Sequence, residues 1–69
     1  AADYLYAALR AGVTEVLVVL QQKPELFQRE TRAALQRRLQ EREFNKGAID
    51  GAFGPGTNRG LRRAYGLED

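Results

Sequence analysis

Residues 45–57, Asn-Lys-Gly-Ala-Ile-Asp-Gly-Ala-Phe-Gly-Pro-Gly-Thr, hold four of the chain's seven glycines and one of its two prolines. No regular helix carries that composition, because glycine costs about 1 kcal/mol in a helix interior and proline about 3. The segment also contains Ile49 and Phe53, two apolar anchors that a solvated linker would lack. It therefore reads as an ordered, turn-rich loop. Asp50 is placed to accept hydrogen bonds from backbone amides two and three residues on, an Asx-type turn. Gly51 and Gly54 read as positive-φ positions closed to residues with a Cβ. Phe53 is expected in the core between them, and Thr57 as the N-cap of the helix that follows.

Outside the loop the apolar spacing is helical. Over residues 3–11, Tyr4, Leu5, Ala8 and Leu9 form one stripe, with Asp3 suited to cap the start and Gly12 to end it. A second helix starts at Thr14, with Val13, Val16, Leu17 and Leu20 at helical spacing. Val-Leu-Val-Val-Leu would also suit a strand, but a lone strand has nothing to pair with. Pro24 breaks this helix by removing a donor and disfavouring helical geometry at Lys23. It opens a short turn that sends Leu26 and Phe27 to the core. The next helix spans roughly 28–43, with Thr31, Ala34, Leu35, Arg38, Leu39 and Arg42 on its inner stripe and the arginine heads snorkelling to water. Phe44 ends it by turning inward. After the loop, Leu61, Ala64 and Tyr65 face inward from a last helix that Gly66 closes.

Sixty-nine residues support one thin core, with about 3–5 kcal/mol of net stability and no room for a deep active site. Cysteine and histidine are both absent, which removes disulfides, thiolate or imidazole zinc sites and Ser-His or Cys-His nucleophiles. No catalytic residue, metal or cofactor is expected. Eleven Lys and Arg against nine acids leave a formal charge of only +2, so no strong field arises. The basic residues cluster locally, as Arg29, Arg32, Arg37, Arg38 and Arg42, and again as Arg59, Arg62 and Arg63. Solvated faces account for them, partly paired as Glu25/Arg29 and Arg37/Glu41 at i,i+4 spacing. The longest apolar run, Val16 to Leu20, is far short of the roughly 20 residues of a membrane span. No leader-like segment opens the sequence, so an export signal is expected either outside it or not at all. Gly51 to Thr57 mimics a phosphate-binding loop but lacks its lysine and preceding strand. An EF-hand would need more ligands than Asp50. Scattered surface acids such as Glu41, Glu43 and Asp50 do not make a glycosidase pair.

Leu35-Gln36-x-x-Leu39, then Phe44, Gly47, Ile49-Asp50-Gly51-x-Phe53-Gly54-Pro55-x-Thr57 and Leu61, resembles the helical peptidoglycan-binding domain family. The likeness covers about residues 31–65. It implies an all-α fold, a small three-helix bundle over 28–66, with residues 1–27 as an additional N-terminal helical extension within a single domain, 1–69. It also implies a non-catalytic module that binds the peptidoglycan glycan or stem peptide. Such a module targets a fused or associated catalytic domain to a periplasmic or cell-wall location. Three positions depart from the pattern: Glu43 replaces a glycine before the aromatic, Gly60 replaces an alanine, and Ala64-Tyr65 replaces Phe-Gln. Candidate ligand contacts are Gln36, Asn58, Arg59, Arg62 and Tyr65, with Gln36 alternatively tethering the loop backbone. Asp50, Gly51, Phe53, Gly54 and Thr57 are structural. One alternative is a protein-interaction or scaffold module that keeps the fold without the wall ligand. Another is a nucleic-acid-binding helical module, which the near-neutral charge disfavours.

Overall fold

Schellman turns end two of the helices and shape the chain between them. In a computed structural model, which describes residues 1–67, α1 (Ala2–Arg10) closes with the amide of Gly12 on the Leu9 carbonyl and that of Val13 on the Ala8 carbonyl. Gly12 takes φ +83, the left-handed value this closure demands. The same pair of bonds ends α3 (Arg29–Glu41): Glu43 N–H donates to the Gln40 carbonyl at 2.9 Å, and Phe44 N–H to the Leu39 carbonyl at 2.8 Å. Here the left-handed residue is Glu43, at φ 62. Between them, α2 (Thr14–Gln22) stops at Lys23, and Pro24–Leu26 form one 3-10 turn. The last helix, α4 (Pro55–Ala64), follows the loop. The described chain is a small compact all-α fold without strands.

One core joins all four helices. Leu5 and Leu9 of α1, Leu20 of α2, Leu35 and Leu39 of α3, and Leu61 and Ala64 of α4 are buried in a single cluster. Residues 1–27 thus share this core, and α1 lies chiefly against α3. Val16, Leu17, Phe27, Phe44 and Phe53 seal the rim, each half-buried against it. Phe53 is therefore a rim anchor rather than an enclosed one.

Several expectations need correction. Tyr4 is 73% exposed and Tyr6 takes its place against the core, because α1 is rotated to seat Leu5 and Leu9. Leu26 is 67% exposed: the 3-10 turn turns only Phe27 inward. Val13 is also exposed. Asp3 caps nothing; it lies inside the first turn of α1 and pairs with Arg38. That pairing draws Arg38 off the inner stripe, and Arg42 is exposed at the C-cap, so the third buried residue of α3 is Gln36. Arg38 rather than Arg37 approaches Glu41, at 3.7 Å, and Arg29 turns to the Asp50 carbonyl instead of pairing with Glu25. Finally, α4 ends at Ala64, because Tyr65 is already extended. Gly66 instead turns, at φ +77, to donate its amide to Leu9 at 2.8 Å.

Gly60 marks a close approach between α4 and the chain just after α3. A Cβ there would meet the Phe44 carbonyl oxygen at 2.9 Å and Asn45 Cβ at 3.3 Å. Packing therefore requires a residue that helix propensity disfavours by about 1 kcal/mol. Two neighbouring substitutions should move stability against propensity. Gly60→Ala should lose roughly 1–3 kcal/mol through overpacking. Glu43→Gly should gain about 1 kcal/mol by relieving the left-handed strain. Thermal melts check both, at about 4–8 °C per kcal/mol in a domain this size. The opposite pair of signs would mean that this corner is built differently.

Candidate functional site

The α3 positions 29, 36 and 40 lie seven and four residues apart, so they share a stripe beside the one that carries Leu35 and Leu39. Each reaches the 45–57 loop. Arg29 Nε donates to the Asp50 carbonyl at 2.9 Å, and Gln40 Nε2 to the Gly47 carbonyl at 3.4 Å. Gln36, wholly buried, does the most. Its Nε2 donates to the Ala52 carbonyl at 3.0 Å and to Thr57 Oγ1 at 3.1 Å. Its Oε1 accepts the amides of Asp50 at 3.1 Å and Gly51 at 2.8 Å. A primary amide has two donors and an acceptor with two lone pairs, so every bond it can make is made.

The loop residues follow from that clamp. Gly51 sits at φ +78, and a Cβ on it would lie 2.5 Å from Arg29 Cγ and 2.9 Å from the Arg29 carbonyl oxygen. Asp50 Oδ1 accepts the Ala52 amide at 2.9 Å, which is the expected Asx turn to the residue two on. This donated amide holds the Asp50 carboxyl below its ordinary value of 3.8, against an opposing desolvation effect. Gly54, by contrast, is not a positive-φ position. Its φ is −108, it is the N-cap of α4, and nothing stands within 4 Å of where its Cβ would be. Thr57 is not the cap either. Pro55 supplies a preset φ at the first helical position, so α4 begins earlier and Thr57 falls inside it, buried, with its oxygen on Gln36.

The five candidate contacts do not converge. Gln36 has no surface to offer a ligand. Asn58 and Arg62 lie one turn apart on α4, and Tyr65 follows just past its end. Gln21 Nε2 donates to the Asn58 carbonyl at 3.3 Å, and Tyr65 and Thr14 share a hydroxyl bond of 2.6 Å. Arg62 is exposed between them. Arg59 falls on another face, where it and Arg63 line a hollow of about 290 Å³ with Phe44, Asn45, Lys46, Gly47 and Gly56. Lys46, Arg63 and Asn45 were not among the sequence candidates. The i,i+4 spacing of Arg59 and Arg63 was visible, whereas only the loop's path brings Lys46 and Asn45 to them. A larger hollow, about 510 Å³ between α1 and α3, is lined by both signs of charge, including the paired Asp3 and Arg38.

Among the described residues, no group of His, Cys, Asp and Glu is placed to hold a metal, and no helix is long and apolar enough to cross a membrane. Comparison with protein-family models, curated proteins and solved structures found no match to this chain.

Two consequences can be measured. Gln36→Ala strands the buried Gly51 amide and Thr57 hydroxyl, at about 1–3 kcal/mol for each group left unsatisfied. A loss of about 2–4 kcal/mol in urea titration is expected, and a loss below 1 kcal/mol would dismiss the clamp. Asp50 works in the opposite sense to a group whose pKa is raised. Its folded-state pKa is lowered, so its contribution is present above the ordinary carboxylate value and disappears as pH falls through the folded value. Wild type and Asp50→Asn should therefore differ by a constant amount near neutrality and converge below about pH 4. Parallel stability curves down to acid would show that the carboxylate is not favoured by the fold.

Proposed function

We propose that this chain is a non-catalytic peptidoglycan-binding module that holds a parent protein at the bacterial wall. The observation that carries the reading is the clamp at Gln36. The residues that resemble the helical peptidoglycan-binding family, Leu35-Gln36-x-x-Leu39 and Asp50-Gly51-x-Phe53-Gly54-x-x-Thr57, form one physical unit here. Gln36 joins Asp50, Gly51, Ala52 and Thr57, while Leu35 and Leu39 share the core with Leu61. The likeness therefore lies in spacings that each serve the same loop, which is more than a coincidence of composition would supply.

Binding without chemistry suits the surface as well. The hollows are open to solvent, and α4 with the residue that follows it carries a planar amide, guanidinium groups and a phenol. Such groups can stack on and hydrogen-bond to sugars and peptide amides. A module of this kind acts by raising the local concentration of its partner domain, and a repeating polymer compensates for weak single contacts. A wall location outside the inner membrane belongs to the same proposal. The scaffold reading draws on one observation: Tyr65, at the altered end of α4, spends its hydroxyl on Thr14 rather than leaving it toward a ligand.

Co-sedimentation with purified insoluble peptidoglycan tests the proposal. The protein should pellet at tens of micromolar and lose little binding between 50 and 200 mM salt, because few counterions are released. Nucleic acid held by six to ten phosphate contacts would instead lose roughly 10³–10⁵ in affinity over that range. A folded protein that stays in the supernatant would favour the scaffold reading. Tight, salt-resistant binding to DNA or RNA would overturn the wall assignment.

A further inference from the structure

Among the described residues, the charged groups that line the hollow beside Phe44 are all cations. Lys46 comes from the loop, Arg59 and Arg63 come from successive turns of α4, and among the described residues no carboxylate lines it. All three are exposed, and none is ion-paired among the described residues. Like charges four apart on a helix repel, so Arg59 and Arg63 gain from an anion placed between them. This is unlike the larger hollow, where Asp3 and Arg38 already pair.

A second observation is independent of the charge. Asn45 borders the same hollow but is only 4% exposed. Its Oδ1 accepts the Gly47 amide at 3.1 Å, which fixes which end of the amide is which. Its Nδ2 is left without an acceptor among the described residues. A buried donor of this kind ordinarily has a partner. The Asn45 side chain is also held in place, since Gly60 packs close to its Cβ. Gly47 and Gly56 add no side chains to fill the space. The wall thus combines two guanidinium forks and an ammonium, with the unpartnered Asn45 donor buried behind it and, among the described residues, no negative group to compete.

We propose that the hollow walled by Asn45, Lys46, Arg59 and Arg63 is a carboxylate-binding subsite, and that it receives a free carboxylate of the peptidoglycan stem peptide. The choice of occupant rests on the wall-binding reading above. The carboxylate itself follows from the donors, because guanidinium forks match a planar two-oxygen anion. A neutral sugar would leave the three charges unanswered. A polyphosphate would need a basic track, whereas Arg62 lies on another stripe of α4 and Glu30 and Glu41 intersperse with Arg37 and Arg38 around the other hollow.

The experiment uses the whole chain in two arms. In the first, sodium acetate is titrated into ¹⁵N-labelled protein at constant ionic strength, with sodium phosphate as a parallel probe. The Asn45 side-chain amide and the Gly47 and Gly56 backbone amides should shift saturably with acetate, and Arg59→Gln or Arg63→Gln should abolish the response. In the second, Arg59→Gln and Arg63→Gln should each weaken co-sedimentation with insoluble peptidoglycan about tenfold, a substantial loss in binding free energy. Arg37→Gln, which removes the same charge from an exposed site on α3, should change it by less than about twofold. Amidating the free carboxyls of the peptidoglycan should weaken wild-type binding as much as the arginine variants do. Equal pelleting by wild type and both variants would overturn the subsite and leave the wall reading standing. Failure of the wild type to pellet, with the acetate response intact, would overturn the wall reading and its stem-peptide occupant while supporting the carboxylate site. Saturation by phosphate at lower concentration than acetate would overturn the carboxylate assignment.

Discussion

Gln36 places an uncharged amide where neither water nor a ligand can reach it, and the geometry of the chain after residue 47 depends on its four hydrogen bonds. Burying such a group without partners would be costly. Here it meets two amide donors, a carbonyl and a hydroxyl drawn from the loop and from α4. The loop has few apolar side chains of its own, so hydrogen bonding supplies what hydrophobic burial does not. Ile49 and Phe53 are only half-buried, and they close the rim rather than fill a core. Arg29 and Gln40 hold the loop at either side of the clamp. All three tethers come from one stripe of α3, so that helix serves as the frame for both the apolar core and the polar loop.

The corner between α3 and α4 concentrates the compromises. Glu43 adopts a left-handed conformation where glycine would be at ease, and Gly60 leaves a helix position bare where alanine would strengthen the helix. The two are coupled through Phe44. The Schellman turn at Glu43 directs the Phe44 ring to the core rim, and it leaves the Phe44 carbonyl against Gly60. Close approach of the two backbones is what brings Lys46 and Asn45 beside Arg59 and Arg63. Repulsion among those cations, together with the unpaired Asn45 donor, sits on the same corner. Local cost in stability and an unneutralised surface therefore coincide in one place.

Charge is distributed differently on the two faces of the molecule. Beside α1 and α3, acids and arginines intermingle, and Asp3 and Glu41 both approach Arg38. Beside the loop, every charged lining residue among those described is basic. A formal net charge of +2 conceals this asymmetry, because the excess is local rather than spread over the surface. Attraction of a small anion to one hollow is compatible with weak interaction with long polyanions, since only the former needs three cations in one spot.

The elements themselves were legible in residue order. Pro24 ends a segment because it lacks an amide donor, and Gly12 because it takes the left-handed closing conformation without steric cost. The Leu35/Leu39 and Leu61/Ala64 spacings mark faces that only burial explains. The glycine-rich loop is readable as ordered because Ile49 and Phe53 interrupt it. Asp50 and Gly51 were legible as a turn because the Asx bond is local. Gly54 and Thr57 were misread, since Pro55 moves the start of α4 ahead of Thr57 and leaves Gly54 as an unstrained cap. Likewise Tyr4, Leu26 and Arg38 have the right spacing for burial but not the right neighbours. The role of Gln36 stayed open between tether and ligand contact until its partners, 14 to 21 residues away, were in place. Local sterics and periodicity are properties of the chain, so the sequence alone determined where helices form, stop and turn. Which polar groups are buried, which arginines face one another and where a hollow opens depend on contacts between distant segments, and only their packing decided those.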